Sequence, residues 1–163
     1  MNLTSLRKLY IHELKDLYSA EHQILDHLPQ MVAAAQDKGL RQALEAHHKQ
    51  TERQVARLEK IFSGLDAKPG GQKCKGMEGL LKEAKDAVTE RASDDVRDAA
   101  IVAAAQRIEH YEMAGYGVAR AFAEKLGDYR AADLLQETLN EEALADQKLT
   151  RLAERRLNFE ALA

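Results

Sequence analysis

The sequence has no tryptophan, two prolines and one cysteine among its 163 residues. So few prolines leave long helices uninterrupted almost anywhere along the chain. A lone cysteine, Cys74, excludes an internal disulfide, and a reducing cytoplasm is the expected compartment. No apolar run approaches the roughly 20 residues that a helix needs to span a bilayer. The opening MNLTSLRKLY also lacks the basic-then-apolar order of a secretion signal. Neither sign of charge dominates: 24 Lys and Arg stand against 27 Asp and Glu, a net charge of −3. That balance gives no electrostatic footprint for nucleic acid. There is no zinc-type Cys/His cluster and no low-complexity segment.

Helix formers fill the rest. Hydrophobic residues make up 45% and charged residues 31%, with Ala, Leu, Glu, Lys, Arg and Gln dominant. This is the balance of an all-α protein, with one domain expected over residues 1–163. The stripe Leu6, Tyr10, Leu17, Ile24, Leu28, Met31, Ala35 predicts a first helix over 4–37. Pro29 predicts a kink near Leu25, and Gly39 a C-terminal stop. A second helix carries Leu40, Leu44, Val55, Leu58 and Phe62 and ends at Gly64. Pro69-Gly70-Gly71 marks a loop, followed by a short helix from Met77 to Arg91. Ser93-Asp94-Asp95 caps a third long helix that ends at Leu126-Gly127, and a fourth runs from Tyr129 to Asn158. Two tight hairpins joined by one long crossover give a ferritin-like antiparallel four-helix bundle, with an extra short helix in the crossover.

Each long helix places polar residues on its buried face. On a wheel of roughly 100° per residue, Ile101, Ile108, Ala119 and Leu126 form one line, and Glu112 falls within about 20° of it. Glu109 and Tyr116 flank it. Glu13 and Glu21 lie near the axis of the first helix; His47, Thr51 and Gln54 lie on that of the second, with Gln50 at its edge. The fourth holds Glu142, with Asp146 one turn on and Glu141 at the margin. Glu21, Gln50, Glu112 and Glu142 stand near the midpoints of their helices, so an antiparallel bundle brings them to one layer. Two carboxylates about 4 Å apart repel by on the order of 4 kcal/mol at an effective dielectric of 20. Several in a dry layer need protonation, a buried cationic side chain or a metal. No Lys or Arg stands at that height on the buried faces of the last three long helices, since Lys49, Arg53 and Arg107 point elsewhere. A metal is the simplest solution.

The expected carboxylate ligands are Glu21, Glu109, Glu112 and Glu142, with His47 as a nitrogen ligand and Gln50, Gln54 and Asp146 as outer or weak ligands. This mixed set suits a transition metal, iron first, with manganese or zinc as alternatives. Redox chemistry there would act on a small oxidant, peroxide or oxygen. The competing reading is a non-enzymatic homodimeric helical module whose acids are protonated or bonded to His47, Gln54 and Tyr116. His47 alone reads as a core histidine, Glu13 and Asp16 as surface charges, and Cys74 as an incidental loop thiol. Gly115 and Gly117 suggest close approach by a neighbouring helix.

Taken together, certain stretches resemble the YciF/YciE-type bacterial stress proteins of the ferritin-like superfamily, over almost the whole chain. They are Asp16 to Glu21, His47 with Thr51 and Gln54, Lys73-Cys74 with Met77-Glu78-Gly79, Val96 to Ala100, Glu109 to Glu112, Gly115-Tyr116, and Glu141-Glu142 with Asp146. The resemblance implies a bundle with an extra helix, usually dimeric, and carboxylates placed similarly to those of rubrerythrins. The sequence departs from the di-iron pattern, which uses Glu-x-x-His on two helices. Gln50-x-x-Arg53 and Glu142-x-x-Ala145 stand there instead, which favours a single metal or an unequal pair.

Overall fold

A computed structural model describes residues 3–162. Met1, Asn2 and Ala163, the ends of the expected domain, lie outside the described residues. The elements are α1 (Leu6–Ala34), α2 (Lys38–Ser63), α3 (Lys75–Thr89), α4 (Asp94–Lys125) and α5 (Tyr129–Leu152). After α5 come a π-helical turn (Ala153–Leu157) and a last short helix, α6 (Asn158–Glu160). The four long helices form a ring in which α1 packs on α2 and α4, and α5 packs on α2 and α4. The short α3 in the crossover covers α1 and α4. The all-helical bundle expected from the pattern is the observed fold.

Local chemistry explains most boundaries. Ser5, Asp37, Ser93 and Asp128 each cap a long helix by accepting a backbone N–H of its first turn. Gly127 ends α4 with φ of 78°, a conformation that costs a residue with a Cβ. Pro29 is accommodated inside α1, which continues to Ala34.

Two boundaries and one packing contact differ from expectation. Gly39 is not a stop after α1 but lies in the first turn of α2, whose N-cap is Asp37. A Cβ at Gly39 would come 3.0 Å from Asp37 Oδ1 and 3.2 Å from the Leu152 side chain, so glycine lets the end of α5 pack closely there. The fourth long helix does not run unbroken to Asn158. The π turn shifts its phase, so Leu149, Ala153 and Leu157 are buried while Leu152 is only half-buried. Arg156 in that turn pairs with Asp37. The close approach expected at the two α4 glycines, from this chain or a second copy, is met within the chain at Gly115, where a Cβ would come 2.8 Å from Leu17; the chain leaves open space at Gly117.

The α1–α2 corner depends on a residue from elsewhere. Asp98 of α4 is buried, and its carboxylate accepts the backbone N–H groups of Gln36 (2.9 Å) and Asp37 (2.6 Å). Asp98→Ala should cost about 2–3 kcal/mol, because two N–H groups lose a charged acceptor. Urea unfolding with an unchanged m-value would register that loss.

The core has two apolar halves. One contains Ile24, Leu28, Leu40, Leu44, Ile101 and Leu149; the other contains Tyr10, Leu14, Leu58, Phe62, Ala119 and Leu135. On α2, α4 and α5 the polar buried residues His47, Thr51, Gln54, Glu109, Glu112, Thr138 and Glu142 fall in the sequence gap between the two halves, and Glu21 lies at the same boundary on α1. The four rods therefore share a polar waist between two hydrophobic ends.

Candidate metal centre

The waist gathers His47 from α2, Glu109 and Glu112 from α4, and Glu142 from α5. Each offers a ligand atom, and these four atoms lie within 4.8 Å of one another. Glu109 and Glu112 are three residues apart and so share one helical face, while Glu142 comes from α5, which packs between α4 and the α2 helix that carries His47. All four are buried. His47 Nε2 stands 3.5 Å from Glu109 Oε1, and His47 Nδ1 stands 3.9 Å from Glu142 Oε2. Burial lowers the imidazole's proton affinity, although Glu142 and Glu141 work the other way. At these distances, with a neutral ring, the contacts are not ion pairs, and neutral imidazole is the form that binds metals.

The carboxyl groups are mutually costly. Burial first, then the nearby Glu142, push Glu109 well above the ordinary carboxylate range. Burial, then Glu21 and Glu142, do the same to Glu112. Glu21 is raised by burial and by Glu142, against the hydrogen bond from Tyr116. Both oxygens of Glu112, one each of Glu109 and Glu142, and both nitrogens of His47 are buried without a hydrogen-bond partner in the protein. Buried polar atoms are normally satisfied. A concentration of orphaned oxygen and imidazole donors around one point is what a cation would satisfy, so the residues present fit a bound metal.

The remaining expected ligands take different places. Glu21 is fully buried beside the group and accepts a hydrogen bond from the Tyr116 hydroxyl, the bond foreseen as one use of that tyrosine. Gln54 is buried and donates to Glu142 and, at 3.2 Å, to Glu141, as an outer partner would. Gln50 is half-buried and lines a cavity beside His47. Asp146 is not drawn into the group: it accepts from Gln106 at 3.0 Å and faces the exposed His110 at 3.4 Å.

The sequence reading passed over Arg57. Its guanidinium donates to Glu141 (2.9 Å to Oε1), to Glu137 and to Thr138. Burial works against the Glu141 charge, but the hydrogen bonds and charge of Arg57 outweigh it and hold that carboxyl below its usual range. Arg57 thus neutralises the margin of the waist and leaves the central acids without a cationic side chain. The signal was available: Glu137 and Glu141 are spaced i,i+4 on α5, opposite the helix that carries Gln54 and Arg57.

Cys74 and Asp16 also differ from expectation. Cys74 is buried as the N-cap of α3, its Sγ 3.0 Å from the Tyr111 hydroxyl, and that hydroxyl donates to Asp16 at 3.1 Å. Burial raises the thiol, so it serves packing rather than nucleophilic chemistry.

Residues 5–162 match the family described as "Domain of unknown function (DUF892)". Protein YciF of Escherichia coli (strain K12) is 42% identical over 162 residues, covering 99% of this chain and 98% of the relative. The crystal structure of the E. coli stress protein YciF superposes with a TM-score of 0.92 at 41% identity, over 95% of this chain and 98% of that one. YcfI from Rhodopseudomonas palustris follows at a TM-score of 0.88 and 42% identity, over 91% and 95% of the two chains. A protein from Xanthomonas campestris with 20% identity and a TM-score of 0.76, covering 93% of both chains, shares the fold. No helix among the described residues is long and apolar enough to cross a membrane.

Proposed function

This chain belongs to the DUF892 family, and we propose that it is a stress-response protein that binds a transition-metal ion at the waist of its helical bundle. The observation that carries the reading is the convergence of His47, Glu109, Glu112 and Glu142 with their donor atoms buried and unpartnered. The stress role follows from likeness to the relative described as a stress protein. Glu109, Glu112 and Glu142 would hold the ion through oxygen and His47 through nitrogen. Gln54 orients Glu142, and Tyr116 orients Glu21 beside the ion. Arg57 keeps Glu141 at the margin. The mixed carboxylate and imidazole donor set suits iron, manganese or zinc. When bound, a redox-active ion supplies electron transfer to a small oxidant. The apolar halves of the core close both ends of the waist.

Elemental analysis of protein purified without chelator tests the reading. It expects a transition metal in substantial occupancy, lost on His47→Ala with Glu112→Ala. Less than about 0.2 equivalents of any transition metal, even after reconstitution at neutral pH where the ligands can deprotonate, would contradict it.

A further inference from the structure

Of the four donors, Glu112 and Glu142 are 0% exposed, whereas His47 and Glu109 retain 6% and 2%. The two that keep contact with solvent are the two that line a cavity of about 150 Å³ between α2 and α5. Its walls include Ala43, Ala46, Leu144 and Ala145, so small or apolar side chains lead from the surface to the imidazole and one carboxylate. Ala145 stands three residues after Glu142, one turn along the same helical face. A longer side chain at that position would occupy the space; alanine leaves it open.

We propose that this α2–α5 cavity is a binding site for a small Lewis-basic molecule of a few heavy atoms, which reaches a metal held by the waist over His47 and Glu109. The inference rests on the metal reading above. A volume of about 150 Å³ is enough to hold a compact ligand of up to a single ring. The void under Ile24, Leu28 and Met31 also reaches His47 and Glu109 but has room for only about one water, and Glu21, Gln54 and Tyr116 are fully buried. Glu141, also on the cavity lining, is matched by Arg57 and so does not repel an electron-rich ligand at full strength.

The test uses the full chain loaded with cobalt(II), whose visible spectrum reports on its ligands, and azide as the small molecule. Ala145→Leu and Ala46→Met plug the cavity from opposite walls, so a folding failure in one leaves the other to decide, and circular dichroism identifies such a failure. The expected result is that wild type and both variants bind the same amount of cobalt. Azide should change the wild-type spectrum saturably and bind the plugged variants at least about tenfold more weakly, a difference of roughly 1.4 kcal/mol. A cobalt-loaded wild type that ignores azide, or plugged variants that respond as wild type does, would overturn the cavity's role while leaving the metal reading standing. A wild type that binds no cobalt would remove the metal reading and the cavity's role with it.

Discussion

Replacing Glu112 with glutamine should raise the melting temperature of the metal-free protein and abolish most of its response to metal. Both carboxylate oxygens of Glu112 are buried without a partner, and Glu21 and Glu142 add repulsion to the cost of burial. At neutral pH the metal-free fold must either keep that charge or hold a proton against the solvent. Glutamine has nearly the same shape and removes the choice. Relief on the order of 1–3 kcal/mol is expected, in the range of a single buried unsatisfied group. For a chain of this size that corresponds to about 3–10 °C in melting temperature. A structural role would give the opposite sign: if the carboxyl were an essential hydrogen-bond partner, the variant would melt lower than wild type in the presence of chelator. Loss of the metal response alongside the rise is what separates a ligand from a merely awkward core residue.

The second large effect is the metal's own stabilisation and its growth with pH. An ion bound only by the folded state adds about 2.7 kcal/mol at a free concentration one hundred times its dissociation constant. Protons compete for the same oxygens. Glu21, Glu109 and Glu112 keep their protons well above the ordinary value of 4.5 in the metal-free fold. As pH rises from that value toward the raised ones, the unfolded chain releases these protons before the folded chain does. Metal-free stability therefore falls across that window, and it is fullest below it. His47 acts in the other direction. Burial lowers its affinity, so its contribution is present above the ordinary 6.5 and is lost as pH falls toward the lowered value. Three carboxyl groups against one imidazole leave a net fall in metal-free stability as pH rises above the ordinary carboxylate value. Metal binding releases the retained protons, so the gain in melting temperature on adding metal should be larger at about pH 7.5 than at about pH 5.5. Melts with chelator and with metal at both values would measure it. A gain that is equal at both, or larger in acid, would mean that the ion binds elsewhere.

The four long helices were legible because their apolar residues recur with helical spacing and the helix-starting caps are Ser or Asp. The waist was legible for the same reason in reverse: Glu112 and Glu142 interrupt stripes that are otherwise apolar, and an interruption at mid-helix has few harmless explanations. What escaped was set by contacts between distant segments. Gly39 looks like a terminator until Leu152 is packed over it. Asp98 looks like one more acid in a helix start until the α1–α2 corner is laid on its carboxylate. The π turn at Ala153–Leu157 follows from docking Leu157 into the core, which the local periodicity does not announce. Arg57 sits beside the buried stripe rather than on it, and its purpose appears only when Glu137 and Glu141 are placed opposite. Asp146 shares the face of Glu142 but lies one turn farther along α5, where Gln106 meets it instead of the central group.

Anomalous diffraction from crystals of the protein loaded with iron or manganese, recorded on both sides of the metal's absorption edge, tests the central claim most directly. The account predicts a peak enclosed by His47, Glu109, Glu112 and Glu142, present above the edge and absent below it. Ordered water at that position with no anomalous signal, or a metal peak only on surface carboxylates, would contradict it.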